Sequence, residues 1–359
     1  MPAAELDPGQ ALVHGGWVKL ICGASNQDLL AVEDLAGIYA LAGVHCIDVA
    51  ADAAVVAAAR RGIAWARSQA AAPSTWVDPW LMLSLSDGAD PHFRKAWFDP
   101  RRCPPSCARP CERVCPALAI GSADGGVDGV VAERCYGCGR CLPACPHGLI
   151  EERGQVLAAE AVAPLLARLR PDAVEIHTQL GRGGAFAARL RQLQEAAIPL
   201  QRLAVSCGLE GASDGTPATP AALAGALWGR HQALRAAGFR PLWQLDGRPM
   251  SGDVGEGTAH AAIRLLAASA SALPPGPLQL AGGTNGRTWP LLQARAGLGR
   301  QVAGVAFGGV ARRQLQPLLQ EAERQGQRLL DLPPLRQQAL ALARGLLQPW
   351  LRRLDRHAG

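Results

Sequence analysis

The chain alternates short apolar runs with longer, alanine-rich segments in which apolar residues recur every three or four positions. The short runs are typical of strands and the longer pattern of amphipathic helices. Their regular alternation indicates repeated βα units that build a parallel sheet. The predicted strands are 18–23, 46–50, 80–85, 173–178, 203–207, 241–246, 278–281 and 302–307.

Eight such units predict an α/β fold, a TIM-like (β/α)8 barrel. A doubly wound open sheet is the alternative, because pattern alone does not establish closure. The alternation is interrupted after the third strand, where a ferredoxin-like insert is expected. The predicted parts are residues 1–100 (strands 1–3), 101–152 (the insert), 153–330 (strands 4–8) and 331–359 (a basic amphipathic C-terminal helix expected to pack on the barrel).

The interruption contains eight of the eleven cysteines. In the first run three residues separate each cysteine from the next, and in the second run the gaps are two, two and three. A proline directly follows the last cysteine of each run. The runs are Cys103, Cys107, Cys111 and Cys115, then Cys135, Cys138, Cys141 and Cys145. The second spacing is that of bacterial ferredoxins, and 121–129 is expected to be a loop between the two runs.

This spacing predicts two [4Fe–4S] clusters whose ligands cross between the runs. Three closely spaced thiolates reach one cubane, and in two-cluster ferredoxins the fourth cysteine binds the other cluster. One cluster is therefore expected on Cys135, Cys138, Cys141 and Cys115, and the other on Cys103, Cys107, Cys111 and Cys145. The first run departs from the ferredoxin gaps, which leaves its cluster type more open.

Three other interpretations of the cysteines compete with iron–sulfur ligation. Disulfides fit poorly with an odd cysteine count and a start without a secretory signal. Structural zinc is an alternative, although its ligands usually come as separated pairs. Buried core cysteines do not cluster in this way, whereas Cys22, Cys46 and Cys207 lie in predicted strands and are expected to be core residues.

The formal charge of +6 does not predict nucleic-acid binding. Two oxidised clusters with their thiolates would add about −4, and the arginines are scattered rather than gathered in one stripe. No apolar run is long enough to span a membrane. A protein of the reducing cytoplasm is expected.

Polar residues at alternating strand positions predict a polar barrel interior. Glu175, His177 and Gln179 are expected to point inward, together with Asp48, Ser84, Ser206, Gln244, Asp246 and Gln279. A glycine-rich loop after strand seven and the end of strand eight predict a site for an anionic or phosphate-bearing ligand at Gly282, Gly283, Thr284, Asn285, Gly308 and Gly309. A satisfied hydrogen-bond network and simple turns are the alternatives, and no catalytic residue is assigned.

Three stretches resemble one family. They are the segment from Trp17 to Asp52, the motif W-F-D-P-x-x-C-P-x-x-C before the cysteines, and L-A-G-G-T-N-G-R-T near the end. Together they resemble the light-dependent period (LdpA) family of cyanobacterial iron–sulfur proteins. The resemblance implies cluster ligation by the eight cysteines, redox sensing that modulates the circadian period, and clock-associated kinases and oscillator components as partners. It implies no established enzymatic reaction.

The first hypothesis is therefore a redox sensor that exchanges electrons with redox partners and presents its arginine-rich cluster region to acidic proteins. The alternative is an iron–sulfur oxidoreductase that passes electrons to a flavin or phosphate-bearing substrate in the barrel. Simple electron carriage leaves the large barrel unexplained and ranks third.

Overall fold

A computed structural model gives the structure of residues 7–23, 28–71, 73–90, 93–121, 129–209, 218–248, 255–295 and 297–355. The strands are β1 (Trp17–Gly23), β2 (Cys46–Ala50), β3 (Trp80–Ser86), β4 (Arg94–Trp97), β5 (Glu151–Gly154), β6 (Ala173–His177), β7 (Arg202–Gly208), β8 (Pro241–Asp246), β9 (Leu278–Ala281) and β10 (Gly304–Phe307). The helices are α1 (Pro8–His14), α2 (Leu29–Ala42), α3 (Ala53–Gln69), α4 (Pro110–Arg113), α5 (Cys141–Ala144), α6 (Ala159–Leu169), α7 (Gly183–Glu195), α8 (Pro220–Ala236), α9 (Ala259–Ser269), α10 (Thr288–Gln293), α11 (Gly309–Arg324) and α12 (Pro333–Asp355).

Within the described residues, eight parallel strands close into a barrel in the order β1-β10-β9-β8-β7-β6-β3-β2. Closure is made by β1 and β10, where Trp17 pairs with Gly304 and Leu20 with Phe307. The predicted barrel is therefore confirmed, and the open doubly wound sheet is not formed. All eight predicted strands are present.

The strand alternation divides the barrel into an outer apolar layer and a polar interior. Val174 and Ile176 of β6 are buried in the large core between the strands and the surrounding helices, as expected. The amino-terminal end of the barrel has a separate apolar layer, which includes Trp17, Cys46 and Met82. Leu12 of α1 packs into that layer, so this short helix covers the amino-terminal end.

The cysteine-rich insert leaves the barrel after β3 and returns before α6, which is the third barrel helix. Its two ends are joined by the antiparallel pair β4–β5, in which Trp97 pairs with Glu151 and Arg94 with Gly154. Phe98, Ile120 and Ile150 form a small apolar core with Cys111 and Cys141. The insert therefore has its own core, and it lies on the carboxyl-terminal side of the barrel. Most of the predicted loop 121–129 lies outside the described residues.

The C-terminal helix α12 packs against α2 and α11. Its residues Leu346, Leu347 and Trp350 are buried, so this face belongs to the main core. Across the described ranges, no helix is both long enough and apolar enough to cross a membrane.

Candidate functional site

The second cysteine run is shaped by two glycines in the left-handed region. Gly137 has φ of +81° and Gly139 has φ of +78°, values that side chains other than glycine adopt at an energetic cost. These two turns wrap the loop, and the short helix α5 then begins at Cys141. The C-Y-G-C-G-R-C sequence thus folds so that its three cysteines line one cavity.

Four cysteines line one cavity in the insert. They are Cys115, Cys135, Cys138 and Cys141, and they are joined there by Ile120 and Tyr136. Cys138 and Cys141 each interact electrostatically with Cys115 and Cys135. Burial and the neighbouring Cys138 and Cys135 thiols raise the pKa of Cys141 to about 12, so its thiolate needs a nearby positive charge. We call these four residues quartet A; they are the first predicted ligand set, brought together from both runs.

The other four cysteines form a second group, quartet B: Cys103, Cys107, Cys111 and Cys145. The side chains of Cys103 and Cys107 are in hydrogen-bonding contact, and Cys103 also interacts electrostatically with Cys145. Cys111 interacts with Cys145 as well. Cys145 belongs to the second run by sequence but faces the first run in space.

The two runs repeat the same local geometry around their last cysteines. The Cys115 sulfur accepts the N–H of Ala119 at 3.2 Å, and the Cys145 sulfur accepts the N–H of Leu149 at 3.4 Å. In both segments the preceding residue, Leu118 or Gly148, has a positive φ. Backbone N–H groups stabilise charge on a ligand sulfur. Burial raises the pKa of Cys145, but the N–H groups of Leu149, His147 and Ile150 outweigh it and lower that pKa.

The donor set suits an iron–sulfur cluster. No three His, Cys, Asp or Glu side chains in the described part of the chain converge around one point as ligands of a single ion do. In a cubane each thiolate binds a different iron, so the four sulfurs surround a group of metal atoms. Each quartet offers four thiols and partly apolar surroundings.

The insert contacts the barrel through Tyr136 and Arg140. The Tyr136 hydroxyl donates to Asp28 Oδ1 at 3.4 Å, and Arg140 forms an ion pair with the same carboxylate. Arg140 also lies 3.8 Å from Glu323 of α11. Asp28 directly precedes α2, so quartet A is attached to the loop between β1 and α2.

A chain of buried polar groups fills the barrel interior. Lys19 is fully buried and forms ion pairs with Asp48, at 3.1 Å, and with Glu175. Ser84 donates to Asp48, and Gln244 donates to Glu175 at 3.0 Å. Gln279, Ser206 and Asp246 join this network through four hydrogen bonds: Gln279 to Gln244, Trp17 to Gln279, Gln244 to Ser206, and Ser206 to Asp246. Gln179, also predicted to point inward, lies beyond the end of β6, and its backbone carbonyl accepts from Arg230.

Opposite charges face one another in this interior. Burial lowers the pKa of Lys19, but Asp48 and Glu175 more than offset this and raise it. Burial raises the pKa of Glu175, yet Lys19 and His177 hold it at about 2. His177 contacts Glu175 at 3.1 Å and Asp90 at 3.3 Å. Burial lowers its pKa, but the hydrogen bonds and charges of the two carboxylates raise it well above the ordinary value, which favours the protonated imidazole.

The predicted anion-binding loop is held in place by hydrogen bonds from its own side chains. Gly282 and Gly283 both have positive φ, and the Gly282 backbone lies close against Gly247 and Arg248. Thr284 and Asn285 are buried. Thr284 donates to the carbonyl of Ala306, and Asn285 donates to the carbonyl of Gly255 at 3.1 Å and to that of Glu256 at 3.2 Å.

Gly308 directly follows the last strand, β10, and Gly309 begins α11. The structure therefore brings the predicted residues to one end of the barrel. The side chains of Thr284 and Asn285 are used within the protein, which leaves backbone N–H groups as the donors for a ligand.

Sequence reasoning missed Lys19, Tyr136 and Asp28. Lys19 stands in V-K-L-I-C, where strand alternation places it on the interior side with Asp48 and Glu175. That signal was available. Tyr136 and Asp28 are 108 residues apart in the chain, and no local pattern links them.

Comparison with known proteins agrees with this geometry. Residues 103–156 match the LdpA Fe-S cluster-binding domain, and residues 165–349 match the Light dependent period A C-terminal domain. The chain is also 48% identical over 347 residues to Light dependent period A of Synechococcus elongatus, which covers 95% of this chain and 93% of that protein. With cysteines arranged for an iron–sulfur cofactor, a closed barrel and this similarity along nearly its whole length, the chain belongs to the light-dependent period (LdpA) family.

Proposed function

We propose that the protein is a redox sensor with two [4Fe–4S] clusters, one on quartet A and one on quartet B. The grouping of the eight thiols into two sets that cross between the runs carries this proposal. When bound, each cluster supplies a one-electron couple. The protein holds the thiolates, excludes water with Ile120 and Phe98, and directs N–H groups at Cys115 and Cys145.

The attachment of the insert to the barrel favours sensing over simple electron carriage. Arg140 and Tyr136 connect quartet A to Asp28 at the start of a barrel helix. A change of charge at the cluster therefore acts on side chains that also contact the first residue before helix α2 of the barrel. A small electron carrier needs no such connection.

We propose a role in light-dependent adjustment of the circadian period in the cytoplasm. The similarity to a protein named Light dependent period A supports it. The proposed partners are clock-associated kinases and oscillator components, together with electron donors of the photosynthetic redox pool. Arg101, Arg109 and Arg134 lie near the quartets, but each already has a contact within the insert: Asp99, Glu112 and the carbonyl of Leu118, respectively.

The second candidate is an oxidoreductase with an anionic or flavin ligand at Gly282, Gly283, Gly308 and Gly309. The protonated His177 between two carboxylates, close to the carboxyl-terminal end of the barrel, favours it. A flavin that copurifies with the protein and is released on denaturation would support this function. Binding of inorganic phosphate or a flavin nucleotide that is weakened by G283A would place the ligand at the loop.

Anaerobic purification tests the sensor directly. We expect about eight irons and eight sulfides per chain, and, after dithionite reduction, an electron paramagnetic resonance spectrum of two interacting clusters. About four irons would contradict the second cluster. Zinc without iron would contradict the redox function.

The clock role needs a separate test in the host cell. The period is measured at several light intensities with the wild-type gene and with a C115S/C145S variant, which removes one ligand from each quartet. We expect the dependence of the period on light to change in the variant. An unchanged dependence, with the variant shown to lack iron, would contradict the role of the clusters.

A further inference from the structure

Tyr136 connects a cluster ligand to the barrel through a single hydroxyl group. Its ring is 6% exposed and packs into the main barrel core, although the residue lies between two cysteines of the insert. The hydroxyl faces two acceptors. One is Asp28 Oδ1 at 3.4 Å, and the other is the sulfur of Cys138, which lines the same cavity as Tyr136 and interacts electrostatically with it.

A phenol has one hydrogen to donate, so these acceptors compete for it. The stronger acceptor is the one with more negative charge. Reduction of a cluster adds charge that is shared by its ligand sulfurs, whereas the charge of the Asp28 carboxylate stays constant. The balance between the two acceptors therefore depends on the oxidation state.

Asp28 is placed to pass this change to the barrel. It is the residue before the first turn of α2, yet its side chain makes no capping hydrogen bond to that helix. The carboxylate instead faces the insert, where it meets Tyr136 and Arg140. Helix α2 packs closely against α3 and α12, so its first turn is joined to the barrel wall.

We propose that Tyr136 couples the oxidation state of the quartet A cluster to the start of α2. The inference rests on the proposed function, because it requires a cluster on quartet A. In the reduced protein the hydroxyl donates to Cys138. In the oxidised protein it donates to Asp28 and, with Arg140, holds the first turn of α2 against the insert.

The reduction potential of the quartet A cluster tests the first half of this coupling. A hydrogen bond to a ligand sulfur stabilises the reduced state, so Y136F should lower the potential. We expect a three- to tenfold fall in the ratio of reduced to oxidised protein at the wild-type midpoint; tenfold corresponds to about 59 mV for one electron. Redox titration followed by electron paramagnetic resonance measures it.

The matched control is Y39F. Tyr39 is the other tyrosine of the chain. Its hydroxyl donates to the carbonyl of Ala311, which lies in α11. Y39F removes the same atom from another buried tyrosine and should leave the potential unchanged.

Hydrogen exchange of the amides at the start of α2 tests the second half. In the wild-type protein we expect slower exchange there in the oxidised state than in the reduced state, and no such difference in Y136F. D28N keeps the tyrosine and the cavity, and should raise the potential while also removing the difference. D28N decides the question if Y136F fails to load iron.

The outcomes distinguish a failure of the Tyr136 coupling from a failure of the proposed redox-sensing function. Full iron and sulfide in Y136F, with an unchanged potential and exchange at α2 that still depends on oxidation state, would overturn the coupling alone. Wild-type protein without iron would overturn the proposed function as well, and iron analysis of every sample distinguishes the two cases.

Discussion

Lys19 is a fully buried cation at the centre of the barrel interior. It has no exposed surface and forms ion pairs with both Asp48 and Glu175. K19M keeps the length of the side chain but removes the cation that Asp48 and Glu175 share and leaves Glu175 with His177 alone. We expect the free energy of unfolding to fall by about 3–5 kcal/mol, measured by urea denaturation.

The control for Lys19 is R264M, which removes a cation from the exposed Arg264 on α9. It should unfold close to the wild-type midpoint. The triple variant K19M/D48N/E175Q, which removes the charge of Lys19 together with those of its two partners, should recover part of the lost stability. Equal stability of K19M and R264M would contradict the role of Lys19.

His45 makes the stability of the barrel sensitive to pH. Its Nδ1 accepts the N–H of Val18 at 3.1 Å, and burial lowers its pKa from 6.5 to about 4. Because the unfolded chain binds a proton more readily, this stability is present above pH 6.5 and is lost as the pH falls towards 4.

In H45N this dependence is absent. Between pH 6.5 and 5.5 the wild-type protein should therefore lose about 1 kcal/mol relative to H45N, because the unfolded chain is already half protonated at pH 6.5; urea unfolding at each pH measures this. The exposed His14 provides the control, and H14N should follow the wild-type curve. Parallel curves for wild type and H45N would contradict a neutral, buried His45.

At the residue scale, strand alternation predicted which side chains enter the barrel but not how they pair. The expected inward positions of Glu175, Gln244 and Gln279 are confirmed by their burial. The partners depend on register between neighbouring strands, such as Ser84 beside Glu175, which no single strand reveals. Strand alternation also places Lys19 on the interior side, but its pairing with Asp48 and Glu175 joins three different strands and appears only in the closed barrel.

Helix α12 stabilises the fold largely through one buried side chain, Trp350. Trp350 is 1% exposed and contacts the ring of Trp289 with centroids 5.2 Å apart. We expect W350A to lower the free energy of unfolding by about 3–5 kcal/mol because it leaves a large cavity. W228A, at a position on α8 that is 43% exposed, should cost clearly less. Similar losses in both variants would show that α12 adds little to the core.

At the scale of elements, the regular parts were predictable and the irregular parts were not. The barrel strands repeat a pattern that the chain shows eight times in the described residues. Strands β4 and β5 are four residues each and pair across more than fifty residues, so neither has a signal of its own. Helix α1 is only seven residues long, too short for a clear sequence pattern. Its buried residue Leu12 packs against the amino-terminal end of the barrel, a surface that exists only once the barrel has closed.

In the whole molecule, the insert and the barrel have separate cores but share the contact at Asp28. Ferredoxin spacing predicted the cysteines of each set, because that spacing reflects the geometry of the cluster. It could not predict the contact with α2, since ferredoxins carry no barrel. The proposed sensor depends on both: clusters that change charge and a scaffold that responds.

The iron content of two double variants tests the central claim most directly. If the ligands cross between the runs, C111A/C145A loses only the quartet B cluster and retains about four irons, whereas C111A/C115A removes one ligand from each quartet and loses most of both. Ligation within each run predicts the reverse. Retention of about four irons by C111A/C115A, with little iron in C111A/C145A, would contradict the two quartets.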